Sequence, residues 1–129
     1  MEIPASRPMN TMRIKRIYDP PAPSDGTRIL VDRLWPRGMA REKAHVDAWL
    51  KDVAPSESLR RWYSHVPEKW PEFRSRYLRE LQQNPAVAEL REHTSKAKTV
   101  TLLFAARDDL HNAIVLRAFL EGGAAVKES

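Results

Sequence analysis

Apolar positions along the chain fall into two periods, one of strands and one of helices. In Arg13–Tyr18, the apolar Ile14, Ile17 and Tyr18 alternate imperfectly with Arg13, Lys15 and Arg16, which predicts a first strand of the kind found at a sheet edge. Thr27–Leu34 holds the consecutive Ile29, Leu30 and Val31, the pattern of a strand covered on both faces. Lys98–Ala106 is an almost unbroken apolar run from Val100 to Ala106 and is expected to be the central strand. Val46–Val53 fits both periods. Val46, Ala48 and Leu50 share a strand face, whereas Val46, Trp49, Leu50 and Val53 share a helix face; the Ala54-Pro55-Ser56 that follows tips the reading towards a short strand.

The helical segments are better marked. Ala40–Ala44 has room for one or two turns. Ser56 is a good N-cap for a helix bearing Leu59, Trp62 and Tyr63 and running to His65. Pro67–Gln83 is the clearest helix, with Trp70, Phe73, Tyr77 and Leu81 in one stripe, a packed face rather than a cofactor box. Asn84-Pro85 closes it and opens the next helix, which buries Val87 and Leu90. A last helix follows Asp108 or Asp109 as cap, uses Leu110, Ala113, Ile114, Phe119 and Leu120, and ends at Gly122-Gly123. Asp19–Gly26 is a proline-rich loop. Trp35-Pro36-Arg37-Gly38 is a turn in which Pro36 fixes φ and Gly38 takes a positive φ.

Alternating strands and helices give an α/β fold: one compact domain over residues 12–122, with a small, partly parallel sheet of three to four strands covered by helices. Residues 1–11 and 123–129 are expected to be a disordered leader and tail. At 129 residues, with 42% apolar and 30% charged positions, the chain can bury a real core. No apolar run approaches the roughly 20 residues of a membrane span, and no secretory h-region opens the chain, so a cytoplasmic protein without membrane partners is expected. The absence of cysteine removes disulfides, thiolate nucleophiles and Cys-based zinc sites. His45, His65, His93 and His111 lack metal-ligand spacing, and four glycines form no phosphate loop, so neither metal nor cofactor is expected. The net charge of +5 suits anionic partners but is modest.

Several long, ordered motifs carry a family resemblance. They are Val31–Gly38 (Val-Asp-Arg-Leu-Trp-Pro-Arg-Gly), Trp49-Leu50-Lys51 with Ala54-Pro55-Ser56, and Leu59-Arg60 with Trp62 and His65. The set Trp70, Phe73, Tyr77, Glu80 and Leu81 follows, then Leu102–Asp108 and His111-Asn112. Across Arg13–Leu120 the chain resembles the YeaO-like branch of the uncharacterised domain of unknown function 488 (DUF 488) family. The resemblance implies a compact α/β domain and no agreed biochemical activity.

In open α/β sheets, ligands bind beyond the carboxyl ends of the strands. The second strand ends in Asp32, Arg33, Trp35 and Arg37, and the central strand in Arg107, Asp108, His111 and Asn112. If the two are parallel neighbours, these groups converge on a pocket for a small anionic molecule. Arginine forks suit phosphate or carboxylate, and Trp35 offers a stacking surface. His111, with Asp108 three residues earlier, is the candidate acid/base pair should a reaction occur. Lys51, Ser56, Arg60 and His65 form a second group, in which Arg60 could reach a phosphate at the helix start. Structural duties compete with each role: Asp32 could pair with an arginine, Asp108 and Ser56 could cap helices, and Trp35 could be core. The alternative function is a nucleic-acid-binding or protein-interaction module using Arg60, Arg61, Arg74, Arg76 and Arg79, although Glu72 and Glu80 interrupt that basic surface.

Overall fold

The apolar run near the carboxyl end takes the interior place its composition demands. In the computed structural model, which describes residues 11–107 and 111–122, Thr99–Phe104 (β4) is flanked by β1 (Thr11–Arg16) and β2 (Thr27–Leu30). A short β3 (Ala48–Trp49) completes the order β1-β4-β2-β3, and every pairing is parallel. Ile14 lies opposite Leu102 on one side of β4, and Ile29 opposite the same residue on the other.

The strand ends differ from the sequence expectation in informative ways. β1 begins at Thr11, a residue assigned above to the leader, because the Thr11 N–H donates to Lys98 O (2.8 Å). It stops at Arg16, where the Asp19 N–H turns back to Arg16 O. β2 stops four residues short of Leu34. Its last ladder bond is Val31 N–H to Leu103 O (3.2 Å); one step on, the Ala105 N–H of the central strand is met by the Asp32 side chain, not by backbone. The chain therefore peels away from the sheet at Asp32. In Val46–Val53 neither period prevails: two residues pair as β3, and Lys51–Val53 closes a 3-10 turn.

The larger core lies on one face. Ile29, Val100, Leu102 and Phe104 pack there against α2 (Glu57–Tyr63), α3 (Trp70–Gln82), α4 (Ala86–Ser95) and α5 (Asn112–Gly122). The stripe on α3 is core as its spacing requires, with Phe73, Tyr77 and Leu81 buried. The opposite face is smaller: Ile17, Leu30 and Leu103 meet Ala44 of α1 (Arg41–Ala44), with Trp35 and Trp49 against them.

Helix starts follow local side-chain chemistry. Ser56 Oγ accepts the Leu59 N–H of α2 (3.2 Å), and Asn84 Oδ1 accepts the Ala86 N–H of α4 (2.9 Å). A 3-10 turn over Pro67–Lys69 precedes α3, so that helix begins three residues later than expected. The expectations for Asp108, for Asp109 and for the tail at 123–129, and all of that for the leader except Thr11, lie outside the described residues.

Candidate functional site

Because β2 and β4 are parallel neighbours, their carboxyl ends open on the same side of the molecule. A pocket of about 410 Å3 lies there. From the segment after β2 it takes Asp32, Arg33, Leu34, Trp35, Pro36 and Arg37; from β4 and α5 it takes Ala105, Ala106, His111 and Asn112. Ala54 and Pro55 ahead of α2, Arg60, Tyr63 and His65 of the α2 region, Phe73 of α3 and Tyr18 beyond β1 complete the wall.

Asp32 links the two strand ends. Its Oδ2 accepts the Ala105 N–H (2.9 Å), its Oδ1 accepts Asn112 Nδ2 (3.3 Å), and its carbonyl accepts Trp49 Nε1 (2.7 Å). Asn112 Nδ2 also donates to Val31 O (3.1 Å), tying the start of α5 to the end of β2. Among the described residues no arginine pairs with Asp32, so the anticipated ion pair is replaced by these neutral donors. Burial pushes the Asp32 carboxyl above its ordinary range, and the donors, with a smaller contribution from the nearby His65, offset only part of that.

The arginines have distinct duties. Arg33 is half-buried and donates through one guanidinium nitrogen to the carbonyls of Ala54 (3.4 Å) and Pro55 (3.2 Å), bracing the wall ahead of α2. Its Nε is buried and finds no acceptor among the described residues. Arg37 is held out by its turn. The turn closes from Met39 N–H to Pro36 O (3.3 Å), with Gly38 at φ +77°, so Pro36 sits one position earlier in it than the sequence suggests. Tyr18 Oη donates to Arg37 O (2.7 Å), while the Arg37 guanidinium has no side-chain partner among the described residues. Arg60 reaches the pocket from α2 and pairs with Glu57 (3.3 Å) on the exposed helix face.

His111 is buried and lies flat on Phe104, ring centroids 3.7 Å apart. Trp35 lines the pocket with its Nε1 donating to Met39 O (2.7 Å), and the Arg41 guanidinium lies 4.4 Å from its ring centre. Three anticipated residues are placed elsewhere. Lys51 is exposed with its ammonium over the Trp49 ring, Arg107 is exposed past β4 and does not line this pocket, and Ser56 is engaged by its helix and by Glu80 (Oγ to Oε2, 2.5 Å). Asp108 lies outside the described residues. The third guanidinium of the pocket is thus that of Arg60 rather than Arg107. Tyr18, Tyr63 and Phe73 were not anticipated as wall residues. Tyr18 follows β1, and the parallel β1–β4 pairing that brings it here has no local signal in the sequence.

A second charged cluster was also missed. Asp25 and Arg28 are 1% and 4% exposed, at the amino-terminal end of the sheet and away from the pocket. Asp25 accepts from Arg28 (2.5 Å), Lys15 (3.1 Å) and the Ala22 N–H (3.0 Å), and the Arg28 guanidinium also donates to the carbonyls of Ala44 (2.8 Å) and His45 (3.1 Å). Burial works to raise the Asp25 carboxyl, but the Ala22 N–H, Lys15 and Arg28 together hold it below its ordinary value. Every polar group in the cluster is engaged, which suits a strut rather than a binding site.

Among the described residues no His, Asp and Glu side chains group as metal ligands, and no helix is long and apolar enough to cross a membrane. Fold and site define a parallel-sheet α/β protein with an open, arginine-lined pocket beyond its strand ends. The chain belongs to the DUF488 family, in its YeaO-like branch: the family model described as "Inactive DUF488-N3 subclade" matches residues 11–128. Uncharacterized proteins of Mycobacterium bovis and Mycobacterium tuberculosis are each 42% identical to it over 111 residues, 86% of this chain and 94% of theirs. Uncharacterized protein YeaO of Escherichia coli is 39% identical over 110 residues, 84% of this chain and 96% of its own. No solved structure matches the chain significantly.

Proposed function

We propose that the chain binds a small anionic molecule, bearing phosphate or carboxylate, in the pocket at the carboxyl ends of β2 and β4. The observation that carries this is the guanidinium of Arg37, which has no side-chain partner among the described residues and is held by a fixed turn beside Arg33, Arg60 and His65 on one concave surface. Guanidinium groups favour oxyanions through paired, charge-assisted hydrogen bonds. Binding without turnover is the form of this function favoured by the site. His111 is stacked and buried, and the matched family carries the description "inactive". The basic helix surface suits nucleic acid less well, since Glu57 engages Arg60 and Arg61, and Glu72 engages Arg76.

Thermal unfolding with a panel of inorganic phosphate, organic phosphates and small carboxylates tests the proposal. A true ligand at a hundred times its Kd adds about 2.7 kcal/mol, or several degrees in Tm. Arg37→Ala should abolish the shift and leave the Tm of the free protein unchanged, because among the described residues the Arg37 backbone carbonyl, and not its side chain, is engaged. No shift for any member of the panel would refute the proposal.

A further inference from the structure

The pocket is graded from mouth to floor, and the gradient orients its ligand. The exposed lining residues are Tyr18, Leu34, Arg37, Arg60 and His65, so two guanidinium groups stand at the mouth, while that of Arg33 is half-buried and turned to the Ala54 and Pro55 carbonyls. Beside Arg33, the deepest part of the wall is small or aromatic: Ala54 and Pro55, the Tyr63 and Phe73 rings stacked 4.3 Å apart, and the imidazole of His111. Among the described residues that line it, the single acid is Asp32, half-buried at the junction of the strand ends. An anion entering head-first would meet that carboxylate in a poorly solvated wall, where like charges repel strongly. At the mouth the same anion meets the guanidinium groups of Arg37 and Arg60, the latter shared with Glu57. Among the described residues each Asp32 oxygen accepts one hydrogen bond, which leaves a second lone pair on each.

Resting on the anion-binding reading, we propose that the ligand is a flat aromatic or heteroaromatic ring that carries an N–H or O–H donor and is joined by a short spacer to a phosphate or carboxylate. The ring goes inward against Tyr63 and Phe73 and donates to Asp32; the anion stays outward on Arg37, Arg60 and His65. Asp32 is the specificity determinant: it accepts the donor of the correct ring and repels anions that lack one. The cavity of about 410 Å3 suits one ring system with its tail, being near the small end of ligand pockets, roughly 300–1,000 Å3.

Calorimetric titration of the full chain with the four ribonucleoside 5′-monophosphates, benzyl phosphate, ribose 5-phosphate and inorganic phosphate tests this. At least one nucleoside monophosphate should bind about tenfold or more tighter than ribose 5-phosphate and than benzyl phosphate, the size expected of one hydrogen bond to a charged acceptor. Asp32→Asn should erase that preference while ribose 5-phosphate binds as well as before or better, and Arg37→Ala should weaken every phosphate. The preference is measured on the unaltered protein, so a poorly folding Asp32→Asn leaves that comparison intact. Equal affinity for ribose 5-phosphate and all the ringed phosphates would overturn the orientation while leaving anion binding standing. A ring preference that survives Asp32→Asn would overturn the role of Asp32. Failure of every phosphate to bind would remove both this inference and the reading beneath it.

Discussion

Replacing Asp25 by Asn separates a structural charge cluster from a ligand site. The carboxylate is 1% exposed and receives Arg28, Lys15 and the Ala22 N–H. Asn retains one carbonyl oxygen, but its NH2 group must face one of those donors, and Arg28 loses its counter-charge while itself 4% exposed. Removing one partner of a buried ion pair typically costs about 3–5 kcal/mol, because the surviving charge is left uncompensated. Two features place this site near the lower figure. Arg28 still donates to the Ala44 and His45 carbonyls, and the Lys15 side chain, 22% exposed, can turn towards water. A loss of about 3 kcal/mol is a large share of the roughly 5–15 kcal/mol that holds a domain together. Urea unfolding at pH 7, followed by the fluorescence of the four tryptophans, measures it.

The cluster also fixes the sign of a pH effect. The Asp25 carboxyl is held below its ordinary 3.8 in the folded protein, so its contribution is fully present above that value and disappears as pH falls through the lower, folded pKa. Asp25→Asn should therefore remove part of the acid limb below about pH 3.8 and leave the remainder of the pH profile parallel to that of the parent. A cycle with Arg28→Met completes the test, since the double variant should lose less than the sum of the singles, by about 0.5–3 kcal/mol. Ligand affinity should not change in Asp25→Asn, the cluster being at the far end of the sheet. A loss under about 1 kcal/mol, or strict additivity in the cycle, would show that solvent reaches the pair and would refute the reasoning.

Two further outcomes follow from single contacts. Tyr77→Phe should cost about 1–2 kcal/mol in urea unfolding, since it strips the fully buried Val53 carbonyl of its 2.6 Å donor; burial first, and then the charges of Asp32 and Glu80, push this phenol far above 10, so the loss should be constant from pH 6 to pH 9. Gly26→Ala should be worse tolerated than Gly38→Ala in a thermal melt: both glycines have positive φ, but a Cβ at Gly26 falls 2.2 Å from Thr99 O, whereas one at Gly38 meets nothing within 4 Å.

What could be read from the sequence was what is written locally. The run Val100–Phe104 announced a strand with neighbours on both sides, the α3 stripe announced a packed face, and Ser56 announced a helix start; each depends on residues within a few positions. What could not be read depends on partners far along the chain. Asp32 ends β2 by taking the N–H of Ala105, 73 residues away, and no periodicity at either position encodes that bond. Strand order has the same character: β1 lies against β4, so Tyr18 reaches the pocket although nothing near it says so. The placing of the arginines has the same character. Arg107 stands next to a strand end in sequence, but Arg60 comes closer in space because α2 returns over the carboxyl ends.

The two charged clusters show how one sheet keeps a strut and a site apart. At the amino-terminal end, Asp25 and Arg28 are almost inaccessible and their hydrogen-bonding groups are directed at one another and at nearby carbonyls, so charge there is consumed by the fold. At the carboxyl end Asp32 forms no ion pair with an arginine among the described residues. Asp32 is satisfied by neutral N–H groups inside the pocket, while Arg37 and His65 stand exposed at its mouth. Were Asp32 bonded to Arg37, the two would neutralise each other and the concavity would offer a guest little beyond shape. Because the backbone N–H of Ala105 and the amide of Asn112 hold Asp32 instead, the guanidinium of Arg37 keeps its capacity to bind, and the separation of unlike charges across one cavity is what a ligand with a donor ring at one end and an anion at the other would require.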